Sequence, residues 1–293
     1  MMKNVFVDSQ KQQEYEVNGY VTFPCLSDAE VEKVQAEYEK LDHTQADGFH
    51  CSMFHPEKDY RQKINTLVKS SLGNKLDDIL VDYEKLFGNF VVKEPGAESD
   101  LYVHQDWNFV DESEHDSLAI WIPLVDTSLE NGALFLVPGS HKLGNKVRGP
   151  GVPDPFSELH DVIRKKYGKM IPLKAGEAII WNHRMVHYSP ANTTSVTRVA
   201  LTCILVPNKA KVFHNWGQIV DSKPNTEIEN FTVNEEFYMF HNVQERPATA
   251  HSNGMIDCTF PIVTEKQLKT AVQSATGTSK GFLNRIKALL TAT

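Results

Sequence analysis

The 293-residue chain is 41% hydrophobic and carries a formal net charge of -8, which gives it enough apolar material for one large domain. An acidic balance argues against nucleic acid as a partner, because that binding depends on clustered lysine and arginine. The sequence has no apolar run long enough for a membrane helix and no secretory signal pattern at its start. Its four cysteines form no Cys-x-x-Cys pair, so we expect reduced thiols in a soluble, cytoplasmic protein.

The N-terminal part of the chain is predicted to be mainly helical. A capping-box pattern that begins at Ser27 predicts a helix from Ala29 to Leu41. Apolar residues at helical spacing predict a second helix from Asn74 to Phe87, ended by Gly88. A polar loop is expected between the two helices, from Gly48 to Tyr60.

From Phe90 onward the apolar pattern changes to short β-prone runs that are separated by turn residues. These runs favour a mainly β protein with flanking α-helices and a double-stranded β-helix core (jelly roll, cupin-like), a fold with an open mouth between its two sheets. We expect a single domain over residues 1–293, with a helical part (about 1–88), the core (about 89–210) and a C-terminal extension (about 211–293). The predicted strands are Phe90–Lys93, Leu101–His104, Leu118–Leu124, Ala133–Val137, Ala178–Trp181, Met185–Tyr188 and Arg198–Val206.

A segment near the C-terminus, Lys280 to Leu290, combines an apolar helical face with three cations. It is interpreted either as a terminal helix packed on the domain or frayed, or as a helix at a membrane surface. The first interpretation is preferred, because one short segment with few cations binds lipid weakly. We therefore expect no stable membrane insertion.

Two histidines and one aspartate form a candidate metal site. His104 and Asp106 are two residues apart, and side chains at this spacing in a strand project from the same face. His187 lies in another strand-like segment, so a folded β core can bring it to the same ion. Two imidazole nitrogens and one carboxylate, with several coordination positions left open, are the ligand set of non-haem Fe(II) oxygenases. The three residues therefore predict an iron-dependent reaction.

Arg198 begins the apolar strand that follows His187. A guanidinium at this position can reach back into the barrel, where a buried cation needs a partner. A carboxylate offers two acceptors in the matching geometry. The proposed partner is the distal carboxylate of 2-oxoglutarate, and a structural salt bridge is the alternative.

At this point the order of the motifs resembles a known family. From about Gly19 to Val206 the chain is similar to the phytanoyl-CoA dioxygenase (PhyH) family of Fe(II)/2-oxoglutarate oxygenases. The motifs that carry this resemblance are His104-x-Asp106, Trp121-Ile-Pro-Leu, the run from Asn131 to His141, Gly176-Glu177, His187-x-Ser189 and Arg198.

The resemblance implies that His104, Asp106 and His187 are the catalytic Fe(II) ligands, with 2-oxoglutarate and dioxygen as cosubstrates. It also implies that an unactivated C-H bond is oxidised while succinate and carbon dioxide are released. The residues it implies around 2-oxoglutarate are Arg198, Ser189, Trp121 and Lys93. Plain core packing is the alternative for Trp121, and exposure to solvent is the alternative for Lys93.

Two positions refine this comparison. Family members often have a histidine five residues before the second metal histidine, whereas this chain has Asn182 there and His183 one residue later. Asp106 is informative in another way, because halogenating relatives replace the metal carboxylate with Ala or Gly. Its presence favours oxygenation over halogenation. His141 is assigned to a turn and not to the metal.

The sequence leaves the substrate open. Gly48–Pro56, Val212–Trp216 and Phe237–His241 mix aromatic and polar residues and either line the mouth or cover the core. None supplies a basic cluster for the phosphates of coenzyme A, so a free metabolite or an intermediate of secondary metabolism is preferred over an acyl-CoA. Hydroxylation is the expected reaction, with desaturation or oxidative cyclisation as the alternative. A non-catalytic binding module, or a zinc or manganese hydrolase or isomerase, remains open, as does a monomer or a homodimer.

Overall fold

The computed structural model describes residues 4–41, 47–144, 146–220, 223–256, 260 and 262–275. Most of its regular structure is β-sheet. The strands are β1 (Tyr20–Pro24), β2 (Phe49–Cys51), β3 (Tyr83–Lys93), β4 (Leu101–His104), β5 (Leu118–Pro123), β6 (Leu134–Leu136), β7 (Lys169–Ile171), β8 (Glu177–Asn182), β9 (His187–Ser189), β10 (Arg198–Pro207), β11 (Phe213–Val220), β12 (Lys223–Thr232) and β13 (His251–Ile256).

Two antiparallel sheets build the core. The larger sheet has the order β1-β8-β5-β10-β3-β2, and the smaller has the order β4-β9-β6-β7. An apolar cluster between the sheets joins Trp121 and Trp181 of the larger sheet to Leu134 and Leu136 of the smaller. This confirms the predicted mainly β fold with a jelly-roll core.

Helices α1 (Ser9–Asn18), α2 (Asp28–Tyr38) and α3 (Lys58–Leu72) cover the outer face of the larger sheet. Two short helices lie elsewhere: α4 (His160–Val162) adjoins an apolar cluster of the smaller sheet, and α5 (Glu235–Phe240) contributes to the cluster between the sheets. The predicted helix after Ser27 is confirmed as α2, and its capping box is present, because the Ser27 backbone N–H donates to the Glu30 carboxylate at 2.9 Å. Ile64 and Val68 of α3 belong to the same apolar cluster as Phe90 of β3. The sheet is therefore fixed from outside and presents its inner face to the site.

The predicted second helix is wrong. Residues 74–79 form turns, Leu80 makes an isolated bridge with Phe6, and β3, which begins at Tyr83, pairs with β10 along its length. A helix lies earlier, as α3, which overlaps only the last three residues of the loop expected from Gly48 to Tyr60 and otherwise covers residues for which no element was predicted. Ile64, Val68 and Leu72 of α3 are buried at helical spacing. Gly88 does not end a helix. A Cβ atom there would collide with the Val68 side chain, so the missing side chain lets α3 pack closely on β3.

The strand predictions differ in detail. β4 has the predicted bounds, whereas the strand expected at Phe90 begins earlier, and that expected at Met185 begins at His187. Neither β7 nor the β11-β12-β13 sheet of the C-terminal extension was predicted. The segment Lys280 to Leu290 lies outside the described residues. In the described part of the chain, no helix combines the length and apolar character needed to cross a membrane.

Candidate active site

The three candidate metal ligands lie together in the mouth of the jelly roll. β4 and β9 are neighbours, and their register places His104 opposite His187. One ligand atom from each of His104, Asp106 and His187 lies within 4.8 Å of the others. Asp106 follows the end of β4, so it reaches the site from an irregular segment and not from the strand that was expected. The convergence predicted from the sequence is present, with different backbone geometry at the carboxylate.

Hydrogen bonds fix both imidazoles in one tautomer. The Nδ1 atom of His104 lies 2.8 Å from the Tyr102 carbonyl oxygen, and Nδ1 of His187 lies 3.0 Å from that of Met185. Because a carbonyl only accepts, each Nδ1 carries the proton and each Nε2 keeps a free lone pair. Burial, and then the neighbouring His187, lowers the pKa of His104 to about 4. An imidazole whose Nδ1 donates to a carbonyl presents Nε2 to the cavity and is suited to metal binding.

The third ligand candidate, Asp106, is held by a tryptophan. Trp181 Nε1 donates to Asp106 Oδ2 at 2.8 Å, while Oδ1 lies 3.8 Å from His187 Nε2. Burial acts to raise the pKa of Asp106, but His187 and the other nearby histidines outweigh it, so the pKa is lowered. The group is therefore a carboxylate. Trp181 was expected only as the end of a strand; the signal that could have identified it is that a buried indole N–H needs an acceptor.

Arg198 is a buried cation with unused donors. Only 3% of the residue is exposed, and Nε and Nη1 have no hydrogen-bond partner among the described residues. Its guanidinium lies over the Trp121 ring, 5.2 Å from the centroid, and both residues line the cavity. Burial lowers the pKa of Arg198 to about 9. Because an uncompensated buried charge is costly, this arrangement fits an anionic ligand.

Of the other two predicted cosubstrate contacts, Ser189 lines the cavity and Lys93 does not. Ser189 lines the cavity, but its hydroxyl donates to the Gly132 carbonyl oxygen at 2.7 Å. The Lys93 ammonium donates to the carbonyl oxygens of Ser99, Ser189 at 3.1 Å and Pro190 at 2.8 Å. These three acceptors use every proton of the ammonium, and Lys93 is not among the residues that line the cavity. The structure thus places Lys93 beneath the site as a tie between backbone segments.

Asn182 stands where family members often have a histidine, and the structure shows where it and two nearby histidines lie. Asn182 donates to the Tyr15 hydroxyl at 2.6 Å, and His183 Nδ1 lies 2.8 Å from Ser117 Oγ. Neither residue lines the cavity. His141 likewise lies away from the cavity, with Nε2 at 3.3 Å from the Glu16 carbonyl oxygen. None of the three joins the metal cluster.

A cavity of about 950 Å³ opens in front of the three ligands. Phe49, Cys51, Met53 and Phe54, from the first predicted mouth segment, line it, and so does Trp216 of the second. The third segment instead covers the core: Tyr238 is fully buried and stacks on Phe87 at 4.6 Å. Among the described lining residues, Arg198 is the sole lysine or arginine, whereas Glu98 and Asp100 supply two carboxylates.

The family model and the curated relatives that match this chain all point to the same family. The family model described as Phytanoyl-CoA dioxygenase (PhyH) matches residues 15–200. A phytanoyl-CoA dioxygenase of Arabidopsis thaliana is 31% identical over 169 residues, which are 54% of this chain and 55% of that protein. Phytanoyl-CoA dioxygenase domain-containing protein 1 of Danio rerio is 30% identical over 144 residues, which are 46% and 50% of the two chains. This chain thus spans about half the length of the relatives it matches.

A solved structure supports the fold. The non-heme alpha ketoglutarate dependent carbocyclase SnoK from nogalamycin biosynthesis matches with a TM-score of 0.50 and 22% sequence identity. The match covers 70% of this chain and 86% of that chain. At this identity the likeness establishes a shared fold and carries no further conclusion about the reaction.

Proposed function

The chain belongs to the phytanoyl-CoA dioxygenase (PhyH) family, because the family model matches more than half of its residues, and from this we propose that it is an Fe(II)/2-oxoglutarate-dependent dioxygenase. Its reaction would oxidise an unactivated C-H bond of a small organic molecule, with hydroxylation as the outcome. The observation that carries the proposal is the joint arrangement of two imidazoles and one carboxylate within 4.8 Å, beside a buried arginine with unused donors.

His104, Asp106 and His187 would hold the iron. Both imidazoles have a free Nε2 because Nδ1 donates to a backbone carbonyl, and the Trp181 indole fixes one oxygen of Asp106. When bound, Fe(II) with 2-oxoglutarate and dioxygen supplies the oxidising power for attack on a C-H bond, and one oxygen atom leaves in succinate. The protein's part would be to fix the three ligands and to leave room beside them for 2-oxoglutarate and dioxygen.

Arg198 would bind the distal carboxylate of 2-oxoglutarate. A carboxylate would satisfy its unused N–H groups, which have no other partner in the described protein. Trp121 lies against the guanidinium and holds its plane, while Ser189, whose proton is directed to Gly132, can only accept on the cavity side. Lys93 would act beneath the site by holding the backbone of Ser189. It is left out of the proposed cosubstrate contacts.

The lining of the cavity favours a substrate without phosphate groups. Phe54 and Trp107 pack edge to face with ring centroids 6.2 Å apart, and both line the cavity together with Trp216. Apart from the metal cluster and Arg198, the charged groups of the lining are Glu98 and Asp100. Arg164 pairs with Asp100 but is not itself a lining residue, so the lining offers the phosphates of coenzyme A no cluster of cations. We therefore propose a free organic metabolite, such as a ring-bearing intermediate of secondary metabolism. Oxidative cyclisation or desaturation of such a molecule is the second candidate.

The proposal is tested by succinate release from 2-oxoglutarate with Fe(II), across a library that contains ring-bearing metabolites and acyl-CoA thioesters. We expect stimulation by a free metabolite and not by the thioesters, with loss of succinate in Asp106→Ala at unchanged far-UV circular dichroism. The mass of the product separates the reactions, because hydroxylation adds an oxygen atom whereas cyclisation or desaturation removes two hydrogens. Wild-type succinate release by Asp106→Ala, or activity restored by Zn(II) alone, would contradict the proposed chemistry.

The single-domain organisation, the cytoplasmic location and the monomeric or dimeric state remain predictions from the sequence. Size-exclusion chromatography with light scattering measures the mass of the assembly directly.

A further inference from the structure

A buried ion pair lies behind Asp106. Arg148 and Glu112 are each 5% exposed, and the guanidinium contacts the carboxylate with both ends: Nη2 lies 2.5 Å from Oε1, and Nη1 lies 3.1 Å from Oε2. A two-point contact of this kind fixes the plane of the guanidinium as well as its position. The pair is therefore a rigid unit inside the protein.

The third donor of the same guanidinium is directed at the backbone of the candidate metal ligand. Arg148 Nε donates to the Asp106 carbonyl oxygen at 2.5 Å, and the Arg148 backbone N–H donates to Asn108 Oδ1 at 2.5 Å. Asp106 lies beyond the end of β4, where the hydrogen bonds of a sheet no longer hold the chain. Arg148 supplies that support from another part of the sequence.

An asparagine ladder joins this unit to the C-terminal sheet. Asn215 of β11 donates to the Arg148 carbonyl oxygen at 3.2 Å, and Asn230 of β12 donates to Asn215 Oδ1 at 2.7 Å. Asn253 of β13 in turn donates to Asn230 Oδ1 at 2.6 Å. The side chains thus run across all three strands and end at Arg148. Because each amide both donates and accepts, its orientation is fixed, and Asn215 in turn fixes the backbone of Arg148.

The same sheet forms one wall of the cavity. The Gly217 backbone N–H donates to the Pro150 carbonyl oxygen at 2.9 Å, and a Cβ atom at Gly151 would collide with the Gly217 carbonyl. This close backbone packing brings Trp216 and Gly217 into the cavity lining, next to residues 149–152. All of β11, β12 and β13 lies beyond residue 200, where the family match ends.

We propose that Arg148, held by Glu112 and by the asparagine ladder of the C-terminal sheet, is a positioning residue for Asp106. The C-terminal sheet then supports the metal site through Arg148, and it also lines the cavity. This inference rests on the proposed role of Asp106 as a metal ligand. Arg148 acts through the backbone of Asp106 and does not itself reach the metal cluster.

The test compares matched variants by their affinity for Mn(II), a redox-inactive stand-in for Fe(II), from the electron paramagnetic resonance signal of the free ion. Arg148→Lys keeps the charge but loses the two-point contact and the Nε donor, and we expect Mn(II) binding to weaken about tenfold. Arg164→Lys is the control, because Arg164 also contacts a carboxylate, that of Asp100, with both ends and donates to a carbonyl, that of Leu101. Its Mn(II) affinity should match that of the wild type.

A second pair tests the ladder without a change in charge. Asn215→Ala should weaken Mn(II) binding by a smaller factor. Asn242→Ala should leave it unchanged, because Asn242 is exposed and its amide is hydrogen-bonded to Glu245 and to the Gln244 backbone, outside the ladder. Circular dichroism and the thermal midpoint of the metal-free proteins report folding separately. If Arg148→Lys does not fold, the asparagine pair decides the question.

Three results overturn the inference: wild-type Mn(II) affinity in a folded Arg148→Lys, equal loss in Arg164→Lys, or equal loss in the two asparagine variants. Asp106→Ala separates this failure from that of the proposed function. If Asp106→Ala binds Mn(II) as the wild type does, the metal site itself is wrongly assigned. If it loses Mn(II) while Arg148→Lys does not, only the positioning role is refuted.

Discussion

Replacement of Arg198 by methionine should have opposite effects on folding and on cosubstrate binding. In the protein without 2-oxoglutarate, Arg198 is a buried cation whose Nε and Nη1 lack partners among the described residues. Methionine fills a similar volume without a charge or a donor. We therefore expect Arg198→Met to leave the ligand-free protein at least as stable as the wild type, and to bind 2-oxoglutarate far more weakly.

The size of each effect follows from the contacts. Two unpaired buried donors cost at least about 2 kcal/mol in total, and loss of the contact with the Trp121 ring removes about 1 kcal/mol. The net gain in unfolding free energy on replacement is then about 1 kcal/mol. Two charge-assisted hydrogen bonds to a carboxylate contribute about 3 kcal/mol at the low end. Their loss weakens 2-oxoglutarate binding by about 100-fold.

Urea unfolding without ligand measures the first effect, and calorimetric titration of 2-oxoglutarate into the Mn(II)-loaded protein under anaerobic conditions measures the second. Arg246→Met is the matched control, because Arg246 also contacts a carboxylate with two nitrogens, that of Glu229, but lies at the surface. It should leave 2-oxoglutarate affinity unchanged. A marked loss of stability in ligand-free Arg198→Met together with wild-type affinity for 2-oxoglutarate would refute the reasoning.

Three further predictions concern Trp181, Lys93 and two buried histidines. Trp181→Phe removes the indole donor to Asp106 and should weaken Mn(II) binding about tenfold, as measured by titration, while a wild-type affinity would count against the role of the indole. Lys93→Met leaves three backbone carbonyls without their donor and should lower the unfolding free energy in urea by about 3 kcal/mol, at about 1 kcal/mol for each carbonyl; a change near zero would show that these hydrogen bonds are dispensable. Burial lowers the pKa of His141 and of His214 to about 4, below the value of about 6.5 in an unfolded chain. The unfolded state therefore binds more protons between these values, so stability should fall as the pH drops from about 6.5 to about 4, and His141→Gln should flatten this dependence in urea unfolding.

Local patterns were sufficient where a single strong signal was present. The capping box at Ser27 identified α2, and alternating or continuous apolar runs identified β4, β5 and β10. The second helix was misplaced because residues 76–87 have apolar spacing that also suits turns followed by a buried strand. Pairing of β3 with β10, a contact between distant parts of the chain, decided between the two.

The residue types and the order of the motifs were enough to predict a candidate site whose members the fold brings together. His104, Asp106, His187 and Arg198 are recognisable from residue type and spacing, since few other sets supply two imidazoles, a carboxylate and a cation in β segments. The role of Lys93 could not be predicted from the sequence. Its ammonium donates to the carbonyl oxygens of Ser99 and Pro190, and only the folded chain brings these segments close to it. Sequence predicts which groups are present, whereas hydrogen-bond partners depend on which segments meet.

The sequence by itself therefore determined the fold class, the family and the candidate metal ligands of this protein, because these depend on local periodicity and on ordered motifs. Only the tertiary structure decided how Asp106 is held. Trp181 is 75 residues away from it, Arg148 is 42 residues away, and Asn215 belongs to a sheet that the sequence did not predict. Directed hydrogen bonds require positions defined to within fractions of an ångström, and such positions are set by the packed chain as a whole.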